Sequence, residues 1–206
     1  MYLFIYHLKT HGPRLGAKTR FALFSISECS YKLSHLKERL FLDFNYSIKV
    51  YKQYFNFAAS HFLIFDDGSR EPLHGHNYRV MVKGEAPKLE GDMVFDFLDI
   101  KPIVREVCDS LDHKLLLPKE NQHLKIHDKG KSFKLTTPDE SEFVIPKQDV
   151  LVLPISNTSA ERLAIYICEE ITRITQERFN FRFSAFEVEV EETPGQSAVY
   201  AHKETL

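Results

Sequence analysis

"REPLHGHNYRV", residues 70–80, decides how this chain is read. His74 and His76 flank one glycine, and Glu71 stands three residues before the first of them. From His76 onward "HNYRVMVKG" alternates, with His76, Tyr78, Val80 and Val82 on one parity and Asn77, Arg79, Met81 and Lys83 on the other. Alternation of period two is the pattern of a strand with one buried face. Side chains two apart on a strand point the same way, so His74 and His76 project together. Just upstream, "YFNFAASHF" (54–62) places Phe55, Phe57, Ala59 and His61 on one parity. Two adjacent antiparallel strands carrying these stretches would gather three imidazoles. A catalytic zinc usually takes three protein ligands and keeps a fourth position open, which makes His61, His74 and His76 candidate ligands. On spacing alone, satisfied surface or core histidines are the competing reading.

The 206 residues are enough for one good core, or one core with appendages. Hydrophobic residues make up 43% and charged residues 27%, with a net charge of −2. That balance argues against a nucleic-acid partner. No apolar run approaches the roughly 18 residues that span a bilayer, so no membrane partner is expected. The cysteines, Cys29, Cys108 and Cys168, are odd in number and far apart, which excludes a disulfide framework or a paired-cysteine metal site. A reducing, cytoplasmic compartment fits that usage. The first 50 residues carry eight Lys or Arg against three acids and show no sustained period. Residues 1–49 are therefore read as an extension without assigned role, and 50–206 as the folded domain.

Within the domain, "YKQYFNFAASHFLIF" reads as a long strand, "DDGSREPL" as a loop and "GDMVFDF" as a turn with a short strand. Ile100, Val104, Val107 and Leu111 make the apolar stripe of a helix, with Pro102 tolerable only in its first turn. Thr158 and Glu161 in "TSAE" have the spacing of a capping box, and Leu163, Ile167, Ile171 and Ile174 give the second helix its buried face. "FEVEVEET" and "AVYAHK" are the last strands. The stretch at about 118–155 has turn signals at Asp128–Gly130 and Pro138 and reads as an inserted β-hairpin or small meander. In "FEVEVEET", Glu192 shares the parity of Phe186, Val188 and Val190, whereas Glu187, Glu189 and Glu191 share the exposed one. A carboxylate on an apolar face requires a partner.

The ordered series "FNFAASHF", "LHGHNYRV", "GDMVFDF", "LDHKLL", "SAERLA" and "VEETPGQSAVY" resembles the 6-pyruvoyl-tetrahydropterin synthase superfamily, which includes the 6-carboxy-tetrahydropterin synthases. The resemblance covers roughly residues 50–117 and 156–204. It implies an α+β tunnelling fold, a four-stranded antiparallel sheet with two helices on one face. It implies assembly into a homo-oligomer, usually a hexamer of two stacked trimers, with active sites between subunits. It implies zinc (Zn2+) on His61, His74 and His76, an acid–base pair in Asp112 and His113, and a pterin anchor in Glu192. Ser159 and Glu161 match a segment that touches the pterin in relatives.

The chain departs from that pattern at one position. The pyruvoyl and carboxy enzymes use a cysteine four residues before the first histidine of the HGH, and here that residue is Arg70. Glu71 follows, giving "ExxHGH". This resembles a subgroup in which glutamate replaces cysteine and 7,8-dihydroneopterin is cleaved to 6-hydroxymethyl-7,8-dihydropterin, a step of folate or methanopterin synthesis. The alternatives are the pyruvoyl product, the carboxy product that leads to queuosine, and a non-catalytic pterin-binding relative.

Overall fold

The alternation around His76 is built as a strand. In the computed structural model, which describes residues 46–203, β1 (Tyr46–His61) pairs antiparallel with β2 (His74–Ala86). Phe55, Phe57, Tyr78, Val80 and Val82 are all buried, as their parity predicts. The Phe57 and Tyr78 rings face each other across the pair and stack 4.7 Å apart. β1 starts ahead of the expected position because its pairing shifts register between Tyr51 and Asn56, which interrupts the alternation. It also ends at His61, short of Phe65. Cys29 and nearly all of the 1–49 extension lie outside the described residues.

Two further antiparallel strands follow β2 in space, β8 (Ala185–Thr193) and β9 (Gln196–Lys203). Two helices cover one face of this four-stranded core. Helix α1 (Phe97–Leu111) buries Ile100, Ile103, Val104, Val107, Cys108 and Leu111. Helix α2 (Ala160–Phe179) buries Leu163, Ile167, Ile171 and Ile174. Both join Phe55, Phe57, Tyr78, Val188 and Val190 in one hydrophobic core. The fold is α+β, as expected, but its sheet is larger. β3 (Lys114–Pro118) and β7 (Val150–Leu153) add on in parallel beside β1, giving six strands in the order β7-β3-β1-β2-β8-β9. These short strands lack alternation because Leu115, Leu116 and Leu117 are all buried.

The expected hairpin at 118–155 is a three-stranded meander of β4 (Lys125–Asp128), β5 (Ser132–Thr136) and β6 (Glu142–Pro146). It has its own small core: Leu124 and Leu135 pack with Phe62, Ile64, Leu115, Leu117 and Val150. Three local expectations are corrected. "GDMVFDF" forms no strand, only a bridge between Glu90 and Met93, because Asp96 accepts the Leu98 amide at 2.7 Å and starts α1. Pro102 falls in the second turn of α1; the Leu98 carbonyl it cannot serve belongs to a residue that is 73% exposed, where water can replace the lost bond. The cap of α2 is Ser159, whose side chain accepts from the Arg162 amide, and the Thr158–Glu161 capping box does not form. Among the described residues, no helix is long and apolar enough to cross a membrane.

Candidate metal and substrate site

Strand register assembles the histidines. His61 lies directly opposite His74, and Ala59 lies opposite His76. Ring centroids are 4.6 Å apart for His61–His74, 5.2 Å for His61–His76 and 4.9 Å for His74–His76. One potential ligand atom from each falls within 4.8 Å of the others. Gly75 makes this possible, since a Cβ there would stand 2.7 Å from the Ala59 carbonyl oxygen.

Two of the rings are oriented from behind. His61 Nδ1 faces the Thr158 carbonyl at 3.0 Å, and His74 Nδ1 faces the Pro72 carbonyl at 2.8 Å. A ring nitrogen facing a carbonyl carries the proton, which leaves Nε2 with a free lone pair. His61 is 1% exposed, and burial is the main cause that lowers its pKa below the ordinary histidine value. The neutral, ligating form is thereby favoured. Three nitrogens so close together, two of them with fixed tautomers, fit a metal ion that keeps an open position.

Glu192 reaches the same place from β8. Its Oε1 is 3.6 Å from both His61 Nε2 and His76 Nε2, and the Tyr78 hydroxyl donates to it at 3.4 Å. Tyr78 is the residue that sequence reasoning missed. Its hydroxyl is also 3.1 Å from His61 Nε2. Burial, then the charge of Glu192 and, further down, that of Glu71 push the hydroxyl pKa up, so it stays protonated. Its signal was present, a phenol two residues beyond His76 on a buried parity, but it read as core packing.

Glu71 enters from the loop between β1 and β2. Its amide donates to the Leu63 carbonyl at 3.0 Å, and its Oε2 accepts from the Leu63 amide at 3.3 Å. Arg70 beside it turns to the meander and pairs with Asp139 at 3.1 Å. Neither described cysteine approaches the imidazoles. Cys108 and Cys168 are buried in the helices, where desolvation pushes their thiols up to about 12 and about 11.

The Asp112–His113 pair is formed, with His113 Nδ1 at 2.9 Å from Asp112 Oδ2. Asp112 also ends α1, and its Oδ1 accepts the Ala58 amide at 2.7 Å. Burial pushes its carboxyl up, but the Ala58 amide and His113 outweigh that and hold it below the usual range. His113 has a left-handed φ of 56° and an 83% exposed side chain. The pair lines a recess of about 910 Å³ with Asn77, Arg79 and Glu191, on the sheet face away from the helices. His113 also borders a second recess of about 500 Å³ that His76 lines. No bond joins the pair to the imidazoles among the described residues. Ser159 caps α2, and Glu161 is exposed in its first turn.

A model of the 6-pyruvoyl tetrahydropterin synthase family matches residues 49–203. A Methanocaldococcus jannaschii protein, provisionally named a 6-carboxy-5,6,7,8-tetrahydropterin synthase, is 40% identical over 148 residues, 70% of this chain and 88% of that protein. The crystal structure of Plasmodium vivax 6-pyruvoyl tetrahydropterin synthase is 34% identical with a TM-score of 0.73, covering 79% of this chain and 100% of that one. Two further structures of the Plasmodium vivax protein carry alanine or cysteine in place of a glutamate described as a catalytic residue.

Proposed function

The chain belongs to the 6-pyruvoyl tetrahydropterin synthase family, and within it we propose a zinc-dependent lyase that cleaves the side chain of 7,8-dihydroneopterin, or of its phosphates, to 6-hydroxymethyl-7,8-dihydropterin. One observation carries this reading: the β1–β2 loop brings a glutamate, not a cysteine, close enough for its charge to act on the Tyr78 hydroxyl beside the histidines, while Arg70 turns to the meander. The catalytic glutamate of the Plasmodium vivax protein supports it.

His61, His74 and His76 would hold the ion, and zinc supplies Lewis-acid polarisation of the substrate's side-chain hydroxyls. Glu192 would anchor the pterin, its carboxylate accepting two hydrogen bonds from a ring N–H and the neighbouring amino group. Ser159 and Glu161 are further candidates for pterin contacts. Glu71 would take the proton of the hydroxyl on the second side-chain carbon. The bond between the first two side-chain carbons then breaks, its electrons pass into the pterin ring, and a two-carbon hydroxyaldehyde leaves. Protonation of the first carbon, by Glu71 or by His113 held by Asp112, completes the product.

The test is to offer the zinc-loaded protein dihydroneopterin and its triphosphate separately and weigh the products. Hydroxymethyl-dihydropterin and the two-carbon aldehyde are expected from dihydroneopterin. A pyruvoyl or carboxy product from the triphosphate alone would overturn the reading. The carboxy reaction is the second reading, favoured by the 40% identity to the Methanocaldococcus protein. Against it stands the lack of a described cysteine near the histidines.

Glu192→Gln is expected to weaken pterin binding by roughly 1.5–3 kcal/mol, the range for a hydrogen bond to a charged group. Glu191→Gln, on the opposite parity, should change it little. Titration of zinc-loaded variants with a pterin product reads both.

The exposed Asp112–His113 pair also supports a site shared between copies, in the homohexamer of two trimers that the family fold favours. Edge-to-edge assembly would cover β7 and β9, the outermost strands of the sheet. Where His113→Ala lowers activity, mixing it with inactive His74→Ala subunits is then expected to restore part of the activity. No recovery would mean that His113 serves its own chain across the smaller recess.

A further inference from the structure

Arg70 occupies the position that the resemblance gives to a catalytic cysteine, and its guanidinium makes two hydrogen bonds and one ion pair. Nη1 donates to the Glu71 carbonyl at 3.0 Å, Nη2 donates to Ser141 Oγ at 3.2 Å, and Nε pairs with Asp139 Oδ2 at 3.1 Å. The guanidinium lies 5.3 Å from the centre of the Phe143 ring and 6.0 Å from that of Phe62. Its side chain is only 16% exposed. Asp139 and Ser141 belong to the turn between β5 and β6, and Phe143 belongs to β6. Phe62 immediately follows the ligand candidate His61. One side chain therefore ties the tip of the inserted meander to the loop that carries Glu71.

The turn is itself fixed. The Thr137 amide donates to the Ser141 carbonyl at 3.1 Å, and Asp139 accepts the Ser141 amide at 3.2 Å. A planar fork with several donors can bridge a backbone carbonyl, a hydroxyl and a carboxylate at once while stacking on rings, and an ammonium cannot. The meander has its own core with Phe62, Ile64 and β3, so it offers a rigid backing.

We propose that Arg70 is a positioning residue for Glu71, and that the inserted meander is the brace through which it acts. The idea rests on the reading of Glu71 as the proton-handling group. It explains why the cysteine position holds a long cation: with the cysteine gone, the position anchors the glutamate that replaces it. The meander thus sets the geometry of proton transfer through Arg70.

The experiment uses the full-length, zinc-loaded protein and the variants Arg70→Gln, Arg70→Lys, Asp139→Asn and Glu71→Gln. Arg70→Gln is expected to lower kcat roughly 10–100-fold, the scale of loss from about 1 Å of misplacement, with KM and zinc content little changed. Arg70→Lys should recover only a small part, and Asp139→Asn should fall between parent and Arg70→Gln. In a Glu71→Gln background, Arg70→Gln should add no further loss. Hydrogen exchange at the Leu63 and Glu71 amides should quicken in Arg70→Gln and Asp139→Asn while core amides of β2 stay protected. Losses that multiply in the double variant, or exchange at the two loop amides equal to the parent, would overturn the proposal. If Glu71→Gln alone is fully active, the reading of Glu71 fails instead, and the exchange data still report whether Arg70 holds the loop.

Discussion

Glu71→Gln should lower the turnover of dihydroneopterin by roughly 10²–10⁴-fold, the usual contribution of a general acid or base. The substitution is chosen because a glutamine carbonyl can still accept the Leu63 amide that now reaches Glu71 Oε2. The loop should keep its course, so the loss would report proton transfer and not collapse of the loop. Zinc content should stay at one ion per chain, because none of the three candidate ligands is altered. Single-turnover kinetics with dihydroneopterin, alongside metal analysis, checks both. A variant that turns over at the parent rate would return Glu71 to the status of a loop carboxylate, with His113 as the next proton carrier to test.

The second large effect is expected from His74→Ala. Zinc should fall from near one per chain to near zero, and turnover to background. His74 is a better choice than His61, which is buried and has its ring nitrogens near Thr158 and Tyr78, so that its loss would also leave a hole in the core. A stability measurement separates loss of metal from misfolding. A ligand at a hundred times its Kd stabilises the native state by about 2.7 kcal/mol. Added zinc should therefore raise the Tm of the metal-stripped parent and leave that of His74→Ala unmoved. A variant that keeps full zinc content would mean that the imidazole cluster is not the metal site.

Much of this site was legible because strands convert parity into direction. His61, His74, His76 and Glu192 were each placed by counting twos, and each faces the common cluster. Where the decisive contact is made by backbone or by remote chain, counting fails. The spacing of Thr158 and Glu161 suggested a helix cap, yet Thr158 uses its carbonyl to hold His61 and its hydroxyl to bond the Phe62 carbonyl at 3.2 Å. Tyr78 looked like packing because nothing local distinguishes a buried phenol from a phenyl ring. β3 and β7 escaped because short parallel strands buried on both faces show no period. Arg70 was recognised only as the absence of cysteine, since the hydroxyl and carboxylate it binds lie some seventy residues further on, in the turn of the meander.

The register that puts His61 opposite His74 has a consequence for the order in which the chain folds. The two residues are 13 positions apart (61 to 74), and all three imidazoles belong to one hairpin. Closing so short a loop is fast and entropically cheap compared with recruiting Glu192, 114 positions beyond Tyr78, or the Thr158 carbonyl, 97 beyond His61. A nascent β1–β2 hairpin already holds every candidate ligand before either helix has packed. A metal captured at that stage would pin the register of the first strand pair, and the remainder of the sheet would be laid down against an edge whose phase is already chosen.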